Sequence, residues 1–177
     1  KEGVSIKGVL PDDIFTGVKE NIVEGNYSLG TVNNLPEMVI GKKLATKLLA
    51  GIGDRITIFA LDENYIPSPL HPPKIEQFII SGIFESGMAE YDDIFAYINL
   101  QTAQELFGSE NQVSGYDIKL NNLSVIDTIA AELGTFLRYP HYVRTIFKTF
   151  QNIFTWIELQ KSLIPIVLFL IIVVAVF

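Results

Sequence analysis

The last fifteen residues of the chain, Leu163 to Phe177, are all apolar and include no charged or amide side chain. A helix rises about 1.5 Å per residue, so the stretch covers roughly 22 Å of the roughly 30 Å hydrocarbon core of a bilayer. A buried core helix is the alternative, but a soluble domain rarely ends on a helix that is apolar all round, without a polar stripe. The stretch therefore predicts a membrane span, and we expect the sequence to stop inside it.

Residues next to this stretch suit a membrane interface. Trp156 is an amphipathic aromatic residue and Lys161 is a long cation, and both types favour the headgroup level. Pro165 lacks a backbone N–H, so we expect it to bend the helix near the interface. Residues 150–159 continue the apolar pattern without a breaker. This pattern predicts one continuous connecting helix and truncated span over residues 151–177.

Composition limits what the rest of the chain can be. About 160 residues precede the span, enough for one moderate core or two small subdomains. The net charge is -7 and no basic run occurs, which argues against a nucleic-acid partner. The absence of cysteine excludes disulfides and thiolate ligands. Residues 1–10 lack the apolar region of a signal peptide, so we expect a fragment cut at both ends.

Hydrophobic periodicity predicts an α+β fold. Strands are predicted over residues 4–10, 38–40, 55–61, 77–84, 94–98, 113–120 and 142–147, and helices over residues 42–50, 100–107 and 124–137. Residues 55–61 are expected to be apolar on both faces, and Phe107 to face inward. Asn99 and Ser124 are expected to cap the second and third helices. The last two strands and the helix between them predict a βαβ unit with parallel strands.

A proline-rich arm, Asp62 to Lys74, separates two of the predicted strands. Its four prolines, at positions 67, 69, 72 and 73, prevent a regular ladder and favour a stiff, polyproline-like segment. Tyr65, Ile66 and Leu70 lie among them, although a solvated linker needs no large apolar groups. A disordered loop tip is the alternative. The arm therefore predicts a preordered docking element with a low entropic cost of binding.

Residues that would indicate catalysis or metal binding are sparse. The acidic stretch Glu85 to Asp93 has no calcium-loop spacing, and His71 and His141 lie seventy residues apart, so we expect a solvated loop and no metal site. The glycine turn at 50–55 follows a helix and precedes a strand, unlike a phosphate-binding loop. Neither G-x-S-x-G nor H-E-x-x-H occurs. We expect no catalytic residue and no enzyme activity in this chain.

Four segments together carry a family resemblance. In order they read GKKLATKLLAGIGDRITIF, FIISGIFESGMAEYDDIFAYINLQTAQELFG, VSGYDIKL and WIELQKSLIPIVLFLIIVVAVF. They resemble the periplasmic domain and second span of FtsX/MacB-like ABC transporter permeases, and within these the lipoprotein-releasing (Lol) permeases of the LolC/LolE type. The resemblance implies a Porter-like part at residues 1–11 and 113–150, a β-rich Sabre-like insertion at 12–112, and the helix and span at 151–177.

The resemblance also implies a function. A permease of this kind lies in the inner membrane with its domain in the periplasm, extracts lipoproteins and passes them to a periplasmic carrier, LolA. Its partners would be a second permease subunit, identical or hookless, and a cytoplasmic ATPase that binds ATP and Mg²⁺, since this chain has no nucleotide-binding motif. Movement would be transmitted mechanically through the helix into the membrane.

The family's carrier-recruiting hook corresponds to the arm at 62–74, although this arm is richer in proline than the family pattern. The implied carrier contacts are Tyr65, Ile66, Pro67, Pro69, Leu70, His71 and Lys74. One alternative is a related permease that exports peptides or drugs, or regulates cell-wall hydrolases, without binding a carrier. A membrane-anchored enzyme is the other alternative, and the missing catalytic motifs argue against it.

Overall fold

A computed structural model of the chain describes residues 2–11, 17–60, 73–109 and 111–176. The chain divides into two compact units, Lys1–Asp117 and Ile118–Phe177. A mixed sheet and several helices form the first unit, and helices dominate the second. The α+β class predicted from the sequence is confirmed.

Seven strands lie among the described residues of the first unit. In chain order they are β1 (Ser5–Val9), β2 (Ile22–Gly25), β3 (Thr31–Val32), β4 (Leu35–Gly41), β5 (Arg55–Ala60), β6 (Lys74–Phe84) and β7 (Phe95–Asn99). The spatial order is β1-β7-β4-β6-β2, with β3 added to β4 and β5 added to β6. The pairs β1·β7 and β4·β6 are parallel, whereas the other pairs are antiparallel.

The long strand β6 organises this sheet, because its two halves have different partners. Its first half, Lys74 to Ile79, pairs with β5. Its second half pairs with β4 on one side and with β2 on the other. The eleven residues of β6 therefore join the hairpin to the centre of the sheet.

Apolar side chains pack on both faces of the sheet. One strand can supply both faces because its successive residues point to opposite sides. Met38 and Ile40 belong to one core cluster, and Val39 between them belongs to the other. Helices α1 (Lys42–Leu48) and α3 (Leu100–Phe107) supply buried residues to the first cluster. In the second cluster, Phe84 and Tyr97 meet edge to face with ring centroids 5.5 Å apart. Burial on both faces explains the continuous apolar run of β4.

Several local predictions for the first unit are confirmed and others are wrong. The Asn99 side chain accepts the Gln101 N–H at 2.9 Å and so caps α3 as predicted. The short strands β2 and β3 lie in a region without a predicted element. Strand β5 is buried on one face, since Phe59 on the other is 54% exposed. Phe107, predicted to face inward, is 46% exposed.

The second unit contains helices α4 (Ile126–Phe136), α5 (Ile146–Thr149) and α6 (Gln151–Val176). The central helix of the predicted βαβ unit is confirmed, but its N-terminus differs. Asn122, and not Ser124, caps the preceding 3₁₀ turn by accepting the Ser124 N–H at 2.9 Å. The S-x-x-D pattern misled because an asparagine two residues earlier supplies an equally good acceptor.

The two strands predicted at 113–120 and 142–147 do not form. The first segment is irregular, and the second is irregular up to the start of α5. A strand requires a neighbour for its N–H and C=O groups, and no strand among the described residues pairs with either segment. The βαβ unit is therefore not formed by these residues. The Porter-like and Sabre-like boundaries stay predictions.

Candidate functional site

The β5–β6 hairpin carries the arm predicted to dock a partner. Six residue pairs, from Arg55 with Ile79 to Ala60 with Lys74, form its ladder. Residues 61–72 lie outside the described residues. Most of the predicted carrier contacts fall there and stay predictions: Tyr65, Ile66, Pro67, Pro69, Leu70 and His71. The structure therefore defines the base of the arm and the side chains around it.

One face of this base exposes an apolar pair. Phe59 and Ile75 are directly opposed across the two strands, and they are 54% and 57% exposed. The solvent face of an antiparallel pair is normally polar. Sequence reasoning missed the pair because Ile75 was assigned to no strand, so its position opposite Phe59 was not predicted. Once the register is known, the two residues form an exposed apolar pair at the base of the arm.

Lys74, the last predicted contact of the arm, has a definite partner in the domain. Its Nζ atom donates a hydrogen bond to the backbone oxygen of Glu105 at 2.7 Å. Glu105 belongs to the last turn of α3, where carbonyls lack helical partners and cations are favoured. The Lys74 ammonium is therefore held against the end of α3.

Helix α3 is itself fixed to the sheet. Its residues Ala103 and Leu106 are buried in the core. At Gly8 in β1, an added Cβ atom would lie 2.4 Å from the Cβ atom of Ala103, so helix and strand are in direct contact. The base of the arm, α3 and β1 thus form a connected set of packed elements.

The acidic stretch has structural partners. Lys47 Nζ lies 2.6 and 2.7 Å from the two carboxylate oxygens of Asp93, and Lys42 Nζ lies 2.7 Å from Glu85. These hydrogen bonds raise the pKa of both lysines. Asp92, expected in a solvated loop, is buried and accepts the Ser86 N–H at 2.8 Å. No group of three or more metal-ligating side chains occurs within the described ranges.

Helix α6 contains a candidate membrane span where the sequence predicts one. An 18-residue window within Gln151–Ala175 has a mean hydropathy of 2.2, so this helix is long and apolar enough to cross a membrane. The continuous helix predicted from residue 151 is confirmed as far as Val176. Trp156 is 60% exposed, Lys161 is also exposed, and Pro165 lies inside the helix without ending it. The bend expected at Pro165 stays a prediction.

The start of α6 is joined closely to α5. The rings of Phe147 and Phe154 meet edge to face with centroids 4.8 Å apart. The Phe150 carbonyl accepts the N–H groups of Ile153 and Phe154 at 3.0 and 3.1 Å. Thr145, which caps α5, is buried. The connection between the two helices is therefore a single residue held by backbone hydrogen bonds and a ring contact.

Comparison with known proteins gives consistent matches. The family described as MacB-like periplasmic core domain matches residues 1–136. The lipoprotein-releasing system transmembrane protein LolC of Neisseria meningitidis serogroup B is 27% identical over 186 residues, covering 99% of this chain and 42% of that protein. LolC of Xylella fastidiosa strain Temecula1 is 24% identical over 176 residues, covering 97% and 41%. The chain spans about two fifths of the length of these relatives.

Proposed function

The chain belongs to the family of MacB-like periplasmic core domains, and from this premise we propose that it forms the periplasmic domain and one span of an ABC transporter permease of the lipoprotein-releasing system. Its similarity to two LolC proteins over nearly its whole length supports this assignment. The domain then lies in the periplasm and α6 in the inner membrane. A second permease subunit and a cytoplasmic ATPase, which binds ATP and Mg²⁺, complete the transporter.

The arm at residues 62–74 recruits the periplasmic carrier LolA, which receives the extracted lipoprotein. The observation that carries this proposal is the exposed apolar pair Phe59 and Ile75 at the end of a regular six-pair hairpin. The pair lies one ladder step before the last described pair, Ala60 with Lys74, and the sequence of the arm between them contains the apolar residues Tyr65, Ile66 and Leu70. Proline in the arm restricts the unbound chain and reduces the entropic cost of docking.

The expected affinity is modest. Burying two large apolar side chains of the arm contributes roughly 3–6 kcal/mol, at about 1.5–3 kcal/mol each, before the cost of association. A carrier that must leave with its cargo requires such reversible binding. Movement of the membrane helices reaches the periplasmic residues through α6, because the connection at Phe150 is short and hydrogen-bonded.

Calorimetric titration of the full-length permease in lipid nanodiscs with the purified, unloaded carrier tests the docking role. Ile66→Asp and Leu70→Asp should each weaken carrier binding at least about tenfold, because a charge replaces a buried apolar contact. Val32→Asp is the matched control, since Val32 is a 43% exposed apolar residue on the separate strand β3. This control should bind the carrier like the wild type.

Unchanged binding by both arm variants would refute the docking role, provided that circular dichroism shows an intact fold. If the wild-type permease did not bind the carrier, the result would favour a related permease for peptide or drug export or for regulation of cell-wall hydrolases.

A further inference from the structure

We propose that Lys74 is a positioning residue that clamps the end of the β5–β6 hairpin to helix α3 and thereby orients the arm. The inference rests on the proposed docking role of the arm and assigns to Lys74 a task other than contact with the carrier. The feature that carries it is the hydrogen bond from Lys74 Nζ to the Glu105 backbone oxygen, at 2.7 Å.

Lys74 lies at the end of the hairpin next to the arm, so this contact acts where the arm begins. Lys74 and Ala60 form the last residue pair of the hairpin within the described residues. Ile75, Glu76 and Gln77, which follow Lys74 in β6, are all exposed. Ala60, opposite Lys74 on β5, is buried in the core, so the exposed end of the hairpin is on its β6 side. The ammonium of Lys74 gives this exposed end a side-chain attachment to the rest of the unit.

The acceptor is well suited to an ammonium group. Glu105 lies in the last turn of α3, where the helix dipole places partial negative charge on the terminal carbonyls. Its oxygen also accepts the N–H of Gly108 at 3.4 Å, and a carbonyl has a second lone pair for Lys74. A Cβ atom added at Gly108 would lie 3.6 Å from Nζ, so the ammonium packs beside the helix cap. A hydrogen bond from a charged donor is stronger than one between neutral groups.

The anchor itself is part of the core. Helix α3 buries Ala103 and Leu106 and begins at the Asn99 cap. Its contact with Gly8 places it directly on β1. The clamp thus connects the exposed end of the hairpin to a packed helix rather than to another surface loop.

The clamp changes carrier affinity by changing the fraction of molecules whose arm has the orientation that the carrier binds. A carrier that binds one orientation has an apparent dissociation constant inversely proportional to the fraction of molecules in that orientation. If loss of the clamp lowers this fraction to between one third and one tenth, carrier affinity falls roughly threefold to tenfold. A lysine that contacts the carrier directly would instead change binding without changing the arm before the carrier arrives.

Pulsed electron paramagnetic resonance can report the arm in the absence of the carrier. Residues 1–177 contain no cysteine, so spin labels can be attached at Thr31→Cys on β3 and Ser68→Cys in the arm, after any cysteine elsewhere in the full-length permease has been replaced. The width of the distance distribution between the two labels measures the spread of arm orientations. Carrier affinity is measured on the unlabelled variants by calorimetry in the same nanodiscs.

Lys74→Met keeps most of the side chain but removes the charge and the donors. It should broaden the distance distribution and weaken carrier binding roughly threefold to tenfold. Lys74→Arg, which can still donate to the Glu105 carbonyl, should restore both values toward those of the wild type. Lys43→Met, at an exposed lysine of α1, is the matched control and should change neither.

The outcomes separate the clamp from the docking role. Weaker binding by Lys74→Met with an unchanged distance distribution would overturn the clamp and make Lys74 a direct contact. A broader distribution with unchanged binding would also overturn the positioning role. The docking role of the arm is tested separately: it would be refuted if Ile66→Asp and Leu70→Asp left carrier binding unchanged.

Discussion

At the scale of single residues, Gly41 shows how closely backbone segments approach in this domain. It ends β4 and serves as the N-cap residue of α1. A Cβ atom at this position would lie 2.2 Å from the carbonyl oxygen of Asp92 and 2.7 Å from its Cα atom. Both are backbone atoms of helix α2 (Tyr91–Ile94), so no side-chain rotation can relieve the contact. The absence of a side chain at Gly41 therefore determines how closely α2 packs on this strand.

Gly41→Ala should destabilise this part of the domain by about 1–3 kcal/mol, the usual cost of overpacking a close contact. The backbone φ angle of Gly41 is -70°, which alanine adopts readily, so the loss would come from the contact and not from backbone strain. Hydrogen exchange followed by mass spectrometry should show faster exchange of the amides in residues 38–50. Gly3→Ala is the control, because nothing lies within 4 Å of its added Cβ atom. Equal exchange in the two variants would contradict the prediction.

At the scale of elements, sequence patterns predicted those strands whose burial is visible locally. The apolar runs of β4 and the second half of β6 were recognisable because both faces of these strands are covered. The short strands β2 and β3 were missed, and only β2 depends on a distant partner, β6. The adjacent Asn33 and Asn34 could have predicted the turn between β3 and β4. Both have positive φ angles, which asparagine tolerates and which a two-residue hairpin turn of type I′ requires.

The opposite error arose at residues 113–120, where alternation predicted a strand. Tyr116 is 86% exposed and Ile118 is 65% exposed, so the alternation does not separate a buried face from a solvent face in the described structure. The contact between Lys74 and α3 was likewise unpredictable, because it depends on the register of β6 and on where α3 packs. The sequence could indicate the arm, but only tertiary structure could indicate what holds its base.

The ion pair between α1 and the segment containing α2 predicts a pH dependence at this scale. The hydrogen bond to Asp93 raises the pKa of Lys47 above its ordinary value of 10.5. The stability that this ion pair contributes is therefore fully present below pH 10.5. It is lost as the pH rises through the higher pKa of Lys47 in the folded state. Because both side chains are partly exposed, the contribution is small and salt-sensitive.

Lys47→Met should be less stable than the wild type at pH 8, and the difference should shrink toward zero as the pH rises well above 10.5. Urea unfolding followed by far-ultraviolet circular dichroism measures both proteins at each pH. Lys43→Met controls for loss of a surface charge on the same helix. A difference that stayed constant across this range would show that the ion pair does not supply the stability.

At the scale of the whole molecule, the proposed coupling between membrane and periplasm requires that α6 is continuous. The helix runs from Gln151 to Val176, and Phe150 alone separates it from α5. A helix transmits rotation and translation along its axis only while its hydrogen bonds are unbroken. A flexible insertion in α6 should therefore separate ATP-driven movement from periplasmic work.

Inserting Gly-Gly-Ser after Glu158 should leave ATP hydrolysis by the assembled transporter intact but abolish release of lipoprotein from proteoliposomes. Glycine is unfavourable in a helix interior by about 1 kcal/mol per residue, so the insertion interrupts the helix before the apolar stretch. An Ala-Ala-Ala insertion at the same place keeps the helix and adds the same length, which separates flexibility from displacement. Release that persisted with Gly-Gly-Ser would refute rigid coupling through α6.

The six-pair ladder of β5 and β6 also has a consequence for evolution. Its register is set by the pairs from Arg55 with Ile79 to Ala60 with Lys74, none of which involves the thirteen residues between Ala60 and Lys74. The pairing of the two strands therefore places no requirement on the length or sequence of this segment. Under the proposed docking role, related permeases could change partners by replacing one short stretch of sequence, while the sheet that carries it stays unchanged.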